Sequence, residues 1–335
     1  MTSTSVRGRR VLAAAATVAA LALATACSST GGKPDDSDGG MGAGQANTPR
    51  FTVAMVTHGP PGDTFWDLIR KGAETAAAKD NIDLRYSSEL QGPDQSNLLQ
   101  NAIDSDVDAI AVTLAKPEAM APAVRRAVDA GIPVVAFNAG IDNWKALGVT
   151  AYFGQDEQIS GEAAGRRLKQ DGALRVLCVI QDQGNVALES RCAGVKSGMG
   201  GAGVENLNVN GTDMPSVQAT IAAKLQQDPG IDHVIALGAP IALTAVQSVG
   251  SSGSKAKVAT FDTNAALVDA IKSGQVQWAV DQQPFLQGYL AVDQLWLYLN
   301  NRNVIGGGMP TLTGPAFIDK SNIDAISEYA KNGTR

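Results

Sequence analysis

Five polar side chains stand at the ends of short apolar runs in this sequence of 335 residues: His58, Asn138, Asp182, Asp262 and Gln282. Their imidazole, amide and carboxylate groups are all able to hydrogen-bond a ligand. Any one of them alone is typical of a helix cap or an Asx turn. A set drawn from both halves of the chain favours a binding site instead.

The apolar runs alternate with segments of helical period, and these elements position the polar residues. The first series has strands at 51–58, 82–88, 109–113 and 133–138, with helices near 64–80, 94–105 and 118–130. The second series has strands at 175–182, 204–210, 233–238, 257–262 and 278–283, with helices near 187–198, 215–227, 240–249 and 264–273.

Runs without polar alternation are typical of strands that are buried on both faces of a parallel sheet. The sequence therefore predicts an α/β fold of two doubly wound parallel-sheet domains, with a break near 150–160. Open parallel sheets bind ligands at the carboxyl ends of their strands. We expect the five polar residues to face one another across a cleft between the two domains.

Three further residues are candidates for that cleft. Phe65 and Trp66 open the first helix, directly after the loop that begins at His58. The Trp66 indole lies at the edge of the apolar stripe, where it either stacks on the C–H face of a sugar or is half-buried under a loop. Arg191 lies one turn into a later helix, where a cation is unfavourable, which favours a role in the site over the alternative of a surface charge.

The sequence has none of the common motifs of catalysis. There is no G-x-S-x-G elbow and no Walker A loop, and the glycine-rich segment 198–203 follows a helix instead of a strand, the reverse of a dinucleotide site. The two histidines, His58 and His233, have no second ligand at metal spacing. We expect neither a metal nor a cofactor, and a binding protein instead of an enzyme.

Cys178 and Cys192 fall in a strand and in the helix that follows it. In an exported protein a disulfide between them is the natural hypothesis, and two buried free thiols are the alternative.

The N-terminus has the features of an export signal. Residues 7–10 hold three arginines, and the uncharged run 11–26 is too short to span a bilayer. The small residues before Cys27 resemble the lipobox of bacterial lipoproteins, whose cysteine is lipidated; the alternative is ordinary cleavage after Ala26. Residues 28–50 are rich in Gly, Ser and Asp, so we expect residues 27–50 to form a lipidated, flexible linker.

The charge balance excludes a broad nucleic-acid surface. The 27 basic and 33 acidic side chains give −6, and residues 1–26 contain three arginines and no acid. The remaining chain is therefore more acidic than the total suggests, which disfavours polyanionic partners. We expect an extracytoplasmic protein that a lipid anchors to the outer face of the cell membrane.

Residues 51–335 resemble the sugar-binding type I periplasmic binding proteins, the ribose- and galactose-type receptors of ABC importers. The resemblance rests on an ordered series of segments: VAMVTHGPPGDTFWDLIRKGAETAAA, DQSNLLQNAIDSDVDAIAV, AVDAGIPVVAFNAG, FGQDEQISGEAAGRRL, GNVALESRCAGVKSGM, IALGAPIALTAVQSVG, VATFDTN and AVDQQPFLQGYLAVD. It implies an N-terminal lobe at 51–154 plus 284–312, a C-terminal lobe at 155–283 plus 313–335, and a hinge of three crossovers near 154–156, 283–285 and 311–314.

The resemblance also implies roles for the aromatic and basic candidates. Phe65 and Trp66 match the residues that sandwich the sugar ring. Arg191 matches the arginine that donates to ring or hydroxyl oxygens, and Asn185 lies in the same loop region.

Asp262 matches an acceptor that follows a second-domain strand, and Gln282 matches the hinge glutamine. Three positions depart from the pattern. Asn138-Ala139 stands where the family usually has Asp-Arg, and Gly238 stands where an Asn is common. The pocket is therefore expected to read different hydroxyl groups from those read by the ribose receptors.

The resemblance implies a monomeric solute-binding lipoprotein that delivers a neutral monosaccharide or polyol to an ABC permease. Asp, Asn, Arg and Gln side chains around an aromatic platform suit such a ligand, because hydroxyl groups both donate and accept hydrogen bonds. The alternative is a receptor of the same fold that passes a liganded signal to a membrane kinase or chemoreceptor.

Overall fold

The computed structural model describes residues 45–335. The predicted signal peptide, Cys27 and most of the predicted linker lie outside the described residues. Within the described range, no helix is long and apolar enough to cross a membrane.

The first half of the described chain alternates strand and helix. Its elements are β1 (Phe51–Thr57), α1 (Thr64–Lys79), β2 (Ile82–Ser88), α2 (Gly92–Asp104), β3 (Ala109–Val112), α3 (Pro117–Asp129), β4 (Val134–Phe137) and β5 (Ala151–Gly154).

The second half repeats this alternation, and its last two strands belong to different sheets. Its elements are α4 (Glu157–Gln170), β6 (Val176–Ile180), α5 (Val186–Met199), β7 (Val204–Asn208), α6 (Met214–Gln227), β8 (His233–Ala236), α7 (Ala239–Ser252), β9 (Lys257–Phe261), α8 (Ala265–Ser273), β10 (Val276–Asp281), α9 (Pro284–Asn301), β11 (Thr311–Leu312), β12 (Ala316–Asp319) and α10 (Asp324–Lys331).

Within the described chain the strands form two six-stranded sheets, in the orders β11-β5-β4-β3-β1-β2 and β12-β10-β9-β8-β6-β7. We call the units around them the first and the second lobe. All pairs are parallel except that of β10 with the edge strand β12. The predicted fold of two doubly wound α/β domains is confirmed. The sequence pattern missed β5, β11 and β12, which are short, and the helices α4, α9 and α10.

The central strands are buried on both faces because helices cover each face of the sheet. Val53 and Met55 of β1 pack with α1 and α9, whereas the alternating residues Ala54 and Val56 pack with α2 and α3. This alternation explains why the strand sequences are apolar throughout, and it leaves only the ends of the strands free for polar residues.

The chain passes between the lobes three times. It crosses at residues 155–156 after β5, at 282–283 after β10, and at 313–315 between β11 and β12. The helix α9 therefore follows a second-lobe strand but packs on α1 of the first lobe.

The last residues of the predicted linker lie against the first lobe. The Ala46 N–H donates to the Lys79 carbonyl oxygen at 2.8 Å. The Thr48 carbonyl oxygen accepts from Asn81 Nδ2 at 2.8 Å, and the Thr48 hydroxyl is 3.2 Å from Trp296 Nε1. Residues 46 and 48, which precede β1, therefore pack on the first lobe.

A disulfide joins Cys178 of β6 to Cys192 of α5. Both residues are buried, and Cys192 follows Arg191 directly in the chain. The bond ties the helix that carries Arg191 to the sheet beneath it.

Glycines let α4 and α5 pack backbone against backbone. A Cβ atom at Gly194 of α5 would overlap the Gln158 carbonyl oxygen of α4 and lie 2.8 Å from the Glu162 nitrogen. A Cβ at Gly161 of α4 would overlap the Arg191 carbonyl oxygen in the same way. This close approach sets the distance between the first helix of the second lobe and the helix that carries Arg191.

We predict that Gly194→Ala destabilises the protein by about 1–3 kcal/mol, because the added methyl group meets backbone atoms that cannot rotate away. Urea denaturation measures the effect. The matched control is Gly250→Ala in α7, where a Cβ atom would have no neighbour within 4 Å. That change should cost nothing and gain less than about 1 kcal/mol from helix propensity. Equal stability of the two variants would contradict the prediction.

Candidate ligand-binding site

A pocket lies where the carboxyl ends of the two sheets face each other. Its empty volume is about 830 Å³, part of which is open to solvent. It is lined by the residues proposed from the sequence for ligand binding, His58, Phe65, Trp66, Asn138, Asn185, Arg191, Asp262 and Gln282, and by Asp182, the fifth of the polar residues at the strand ends. The structure therefore brings together side chains from six different strand ends and helix starts.

His58 is buried at the end of β1 and is held from both lobes. Its Nδ1 atom lies 2.8 Å from the Thr113 hydroxyl, and its Nε2 atom lies 3.3 Å from Asn185 Nδ2. The amide nitrogen of Asn185 only donates, so Nε2 accepts and the ring proton is on Nδ1. Burial, together with the charges of Lys116 and Arg191, lowers the pKa of His58 to about 3. His58 is a neutral hydrogen-bonding group at physiological pH.

Trp66 forms a fixed aromatic wall next to His58. The two ring centroids are 4.6 Å apart in an edge-to-face arrangement, and only 8% of Trp66 is exposed. A Cβ atom at Gly59 would overlap the indole, so the turn after His58 needs glycine to accommodate it. Phe65 packs edge-to-face on Trp66 at 5.3 Å and is more exposed. Both rings line the pocket, and stacking on a ligand stays a prediction.

Arg191 is buried, with 3% of its surface exposed, so the alternative of a surface charge is wrong. Its Nε and Nη2 atoms both donate to the Glu157 carboxylate. Its Nη1 atom donates to the Leu237 carbonyl oxygen at 3.3 Å and lies 3.9 Å from Asp262 Oδ2. A buried guanidinium needs such partners, because an uncompensated charge in the interior is very costly.

Glu157 is the residue of this group that sequence reasoning missed. It lies in the first turn of α4, directly after the first crossing, and Gln155 Nε2 donates to its carboxylate at 2.8 Å. Burial raises the pKa of the Glu157 carboxyl, and the Arg191 guanidinium opposes that rise. Acidic residues are common in the first turn of any helix, where their negative charge interacts favourably with the helix dipole. No signal in the sequence distinguishes this one.

A chain of amide groups connects Asp262 to the first lobe. Gln282 Nε2 donates to Asp262 Oδ1 at 2.7 Å, and Gln282 Oε1 accepts from Asn138 Nδ2 at 3.3 Å. Gln287 Nε2 donates to Gln282 Oε1 at 3.0 Å. All four residues are buried, so this chain links the carboxyl ends of both sheets through the crossing at 282–283.

Asn138 and Asp262 share an unusual backbone conformation. Their φ angles are 64° and 65°, in the left-handed region that Asn and Asp adopt more readily than other residues with a Cβ atom. The chain turns sharply at the ends of β4 and β9, and each turn aims a short polar side chain at the pocket. This turn is the local reason why polar residues end these two strands.

Asp262 titrates near neutrality. Burial raises its pKa to about 7, although the Arg191 charge and the bond from Gln282 act in the opposite direction. The neighbouring carboxylates of Asp281 and Glu157 add to the rise.

The two lobes also touch each other over the pocket. Lys116 Nζ lies 3.0 Å from Asp182 Oδ1, and the Val186 N–H donates to the Ala115 carbonyl oxygen at 3.0 Å. These contacts join the loop after β3 to the start of α5. The pocket therefore lies between the lobes, and both lobes supply its walls.

Two buried oxygen atoms of the second lobe lack a hydrogen-bond partner among residues 45–335. They are Gln181 Oε1 and Thr263 Oγ1, and both residues line the pocket. Neither residue was predicted from the sequence. Each is adjacent to an acidic residue, Asp182 or Asp262, which is the stronger candidate by its residue type.

The arrangement suits binding more than catalysis. Both ring nitrogens of His58 are engaged, so it is not poised as a general base. In the described part of the chain, no group of His, Cys, Asp and Glu side chains is placed to hold a metal ion. What the pocket offers is a set of hydrogen-bond donors and acceptors beside an aromatic wall.

Comparison with known proteins agrees with this architecture. The profile of the periplasmic binding protein domain matches residues 53–303. The xylose/arabinose-binding protein of Sulfolobus acidocaldarius is 27% identical over 247 residues, which are 68% of this chain but 60% of that protein. The matched region is thus under two thirds of that relative's length. The ribose import binding protein of Bacillus subtilis is 26% identical over 74% of this chain and 81% of its own.

Solved structures are similar to this chain as well. A carbohydrate transporter from Acidothermus cellulolyticus, crystallised in complex with myo-inositol, is 56% identical with a TM-score of 0.84, and the match covers 86% of this chain and all of that one. A solute-binding protein from Agrobacterium vitis, at 24% identity and a TM-score of 0.74 over 84% of this chain and 99% of its own, shares the fold. The chain belongs to the family of the periplasmic binding protein domain.

Proposed function

We propose that this protein captures a neutral, hydroxyl-rich ring compound, a cyclic polyol or a monosaccharide, and delivers it to an ABC permease. The observation that carries the proposal is the pocket between the lobes, in which both lobes supply hydrogen-bonding groups around Trp66. Hydroxyl groups both donate and accept, so a mixed set of donors and acceptors matches them. The relative crystallised with myo-inositol supports a cyclic polyol, and the relatives named for sugar import support delivery.

The charges of the pocket favour a neutral ligand. The Arg191 guanidinium is already paired with Glu157 and lies near Asp262, and the Lys116 ammonium is paired with Asp182. Among the described residues that line the pocket, Arg191 is the one Lys or Arg side chain, and its charge is thus compensated. A phosphate or carboxylate would meet acidic groups without gaining a free cation.

We predict that myo-inositol or another neutral ring polyol raises the thermal midpoint of the protein. Ligand at one hundred times its dissociation constant stabilises a protein by about 2.7 kcal/mol, which a thermal-shift screen detects easily. Trp66→Leu should weaken that binding by about tenfold, because the aromatic wall is lost. Trp296→Leu is the matched control, a partly buried tryptophan of the same lobe outside the pocket.

The outcome that contradicts the proposal is a protein that responds to no neutral sugar or polyol. A response to sugar phosphates alone would contradict the argument from charge. Equal loss of affinity in both tryptophan variants would contradict a direct role of Trp66 in ligand binding.

We predict that ligand affinity falls as the pH is lowered through 7. The pKa of Asp262 is about 7, so its carboxyl is increasingly protonated below that pH and ceases to be a pure acceptor. Binding that needs the carboxylate must then release a proton, which weakens affinity by at most about tenfold per pH unit. Calorimetric titrations from about pH 5.5 to about pH 8 measure this slope.

Asp262→Asn is the control for the pH dependence, because an amide does not titrate. The variant should bind more weakly and with no pH dependence across this range. His58, whose pKa is about 3, stays neutral throughout it. A slope that persists in Asp262→Asn would assign the titration to another group.

The proposal places the protein outside the cytoplasmic membrane, held there by a lipid on Cys27. Its support is the sequence alone: three arginines, an uncharged run of sixteen residues and small residues before the cysteine. Metabolic labelling with a radioactive fatty acid should label the unsubstituted chain and leave Cys27→Ala unlabelled. A label that survives the substitution would contradict the anchor without touching the proposed ligand.

A further inference from the structure

Gln181 extends the end of β6 into the pocket with a fixed orientation. Its Nε2 atom donates to the Leu237 carbonyl oxygen at 3.3 Å, which places the amide nitrogen on that side. The amide oxygen, Oε1, is buried and has no partner within residues 45–335. A buried acceptor of this kind is costly unless something donates to it.

Gly238 creates the space that Gln181 occupies. In the sheet, β8 lies between β6 and β9, so Gly238, two residues after β8, lies between the ends of its two neighbours. A Cβ atom at Gly238 would be 3.2 Å from Gln181 Nε2, closer than most real contacts. The φ of Gly238 is −172°, an extended conformation open to any residue. Its glycine is therefore explained by space and not by backbone strain.

Thr263 lines the same pocket and follows β9, the strand on the other side of β8 from β6. It is two residues after β9, it is 2% exposed, and its hydroxyl has no partner in the described chain. The second lobe therefore presents two unpartnered oxygen atoms, Gln181 Oε1 and Thr263 Oγ1, on residues that follow the two strands next to β8. An amide oxygen only accepts, whereas a hydroxyl also donates.

We propose that Gln181 and Thr263 determine ligand specificity, by binding hydroxyl groups on the edge of the ligand that enters the space above Gly238. The inference rests on the proposed function and assigns it two further residues. The ligand must donate a proton to Gln181 Oε1, so a hydroxyl is required at that edge and a methylene or ether oxygen is rejected. Discrimination is strong at such a site because the wrong ligand leaves a buried acceptor unpaired.

The test uses three inositol isomers that differ in the orientation of single hydroxyl groups: myo-inositol, scyllo-inositol and D-chiro-inositol. Calorimetry measures their affinities for the wild-type protein, Gln181→Met and Thr263→Val, two substitutions that keep the side-chain volume. Each variant should bind the preferred isomer about tenfold more weakly and show a smaller ratio between isomers. Gln218→Met and Thr220→Val, on α6 outside the pocket, are the matched controls.

Gly238→Ala tests the role of the space. Its methyl group should displace the Gln181 side chain and reproduce the loss of selectivity seen in Gln181→Met. The double variant Gly238→Ala/Gln181→Met should then be no weaker than Gln181→Met alone. Additive losses would show that the methyl group blocks the ligand directly, which contradicts the role given to Gly238.

The possible results distinguish a failure of the specificity role from a failure of the proposed function. If the wild-type protein binds an isomer and both pocket variants keep its affinities and ratios, the inference is wrong and the proposed function stands. If a variant loses all isomers by the same factor, the residue does not determine specificity. If the wild-type protein binds none of the three isomers and no other neutral sugar or polyol, the proposed function and the inference fall together.

Discussion

The buried guanidinium of Arg191 is the constraint on which the rest of the site depends. A full positive charge inside the protein must be met by carboxylates and hydrogen-bond acceptors, and the chain supplies them from three separate elements. Glu157 comes from the first helix of the second lobe, the Leu237 carbonyl oxygen from the end of β8, and Asp262 from the end of β9. Without the Glu157 carboxylate, the guanidinium would lose the acceptor of two of its hydrogen bonds and its nearest negative charge.

This compensation also joins the pocket to the crossings between the lobes. Gln155, in the first crossing, donates to Glu157, and Gln282, in the second, donates to Asp262. Gln287 donates to the hydroxyl of Thr313, in the third. A ligand that contacts Asp262 or Asn138 therefore touches a hydrogen-bond network that runs through every crossing of the described chain. Ligand binding and the relative position of the two lobes therefore depend on the same hydrogen bonds.

Much of the fold was predictable, because strands buried on both faces leave an uninterrupted apolar signature. Asn138 and Asp262 were predictable for the same reason, since a polar residue at the end of such a run is conspicuous. Arg191 was found because a cation is unfavourable so early in a helix.

The remainder depends on contacts between distant segments. Glu157 and Gln287 lie in the first turns of helices, where polar residues are ordinary, and only the folded chain shows that they are buried. The role of Gly238 could not be predicted either, because a glycine in an extended conformation has no local sequence signal that distinguishes it from other glycines. The resemblance to sugar receptors marked it as a departure, and the position of the Gln181 side chain supplies the physical reason.

The hydrogen bond from the Val186 N–H to the Ala115 carbonyl oxygen has a consequence for how such a protein diversifies. It joins the lobes through main-chain atoms alone, so side-chain replacement at either position leaves it in place unless proline enters at 186. The residues that line the pocket contribute through their side chains instead. This one contact between the two halves of the protein is therefore retained whichever side chains a descendant of the chain carries at these two positions, proline at 186 excepted.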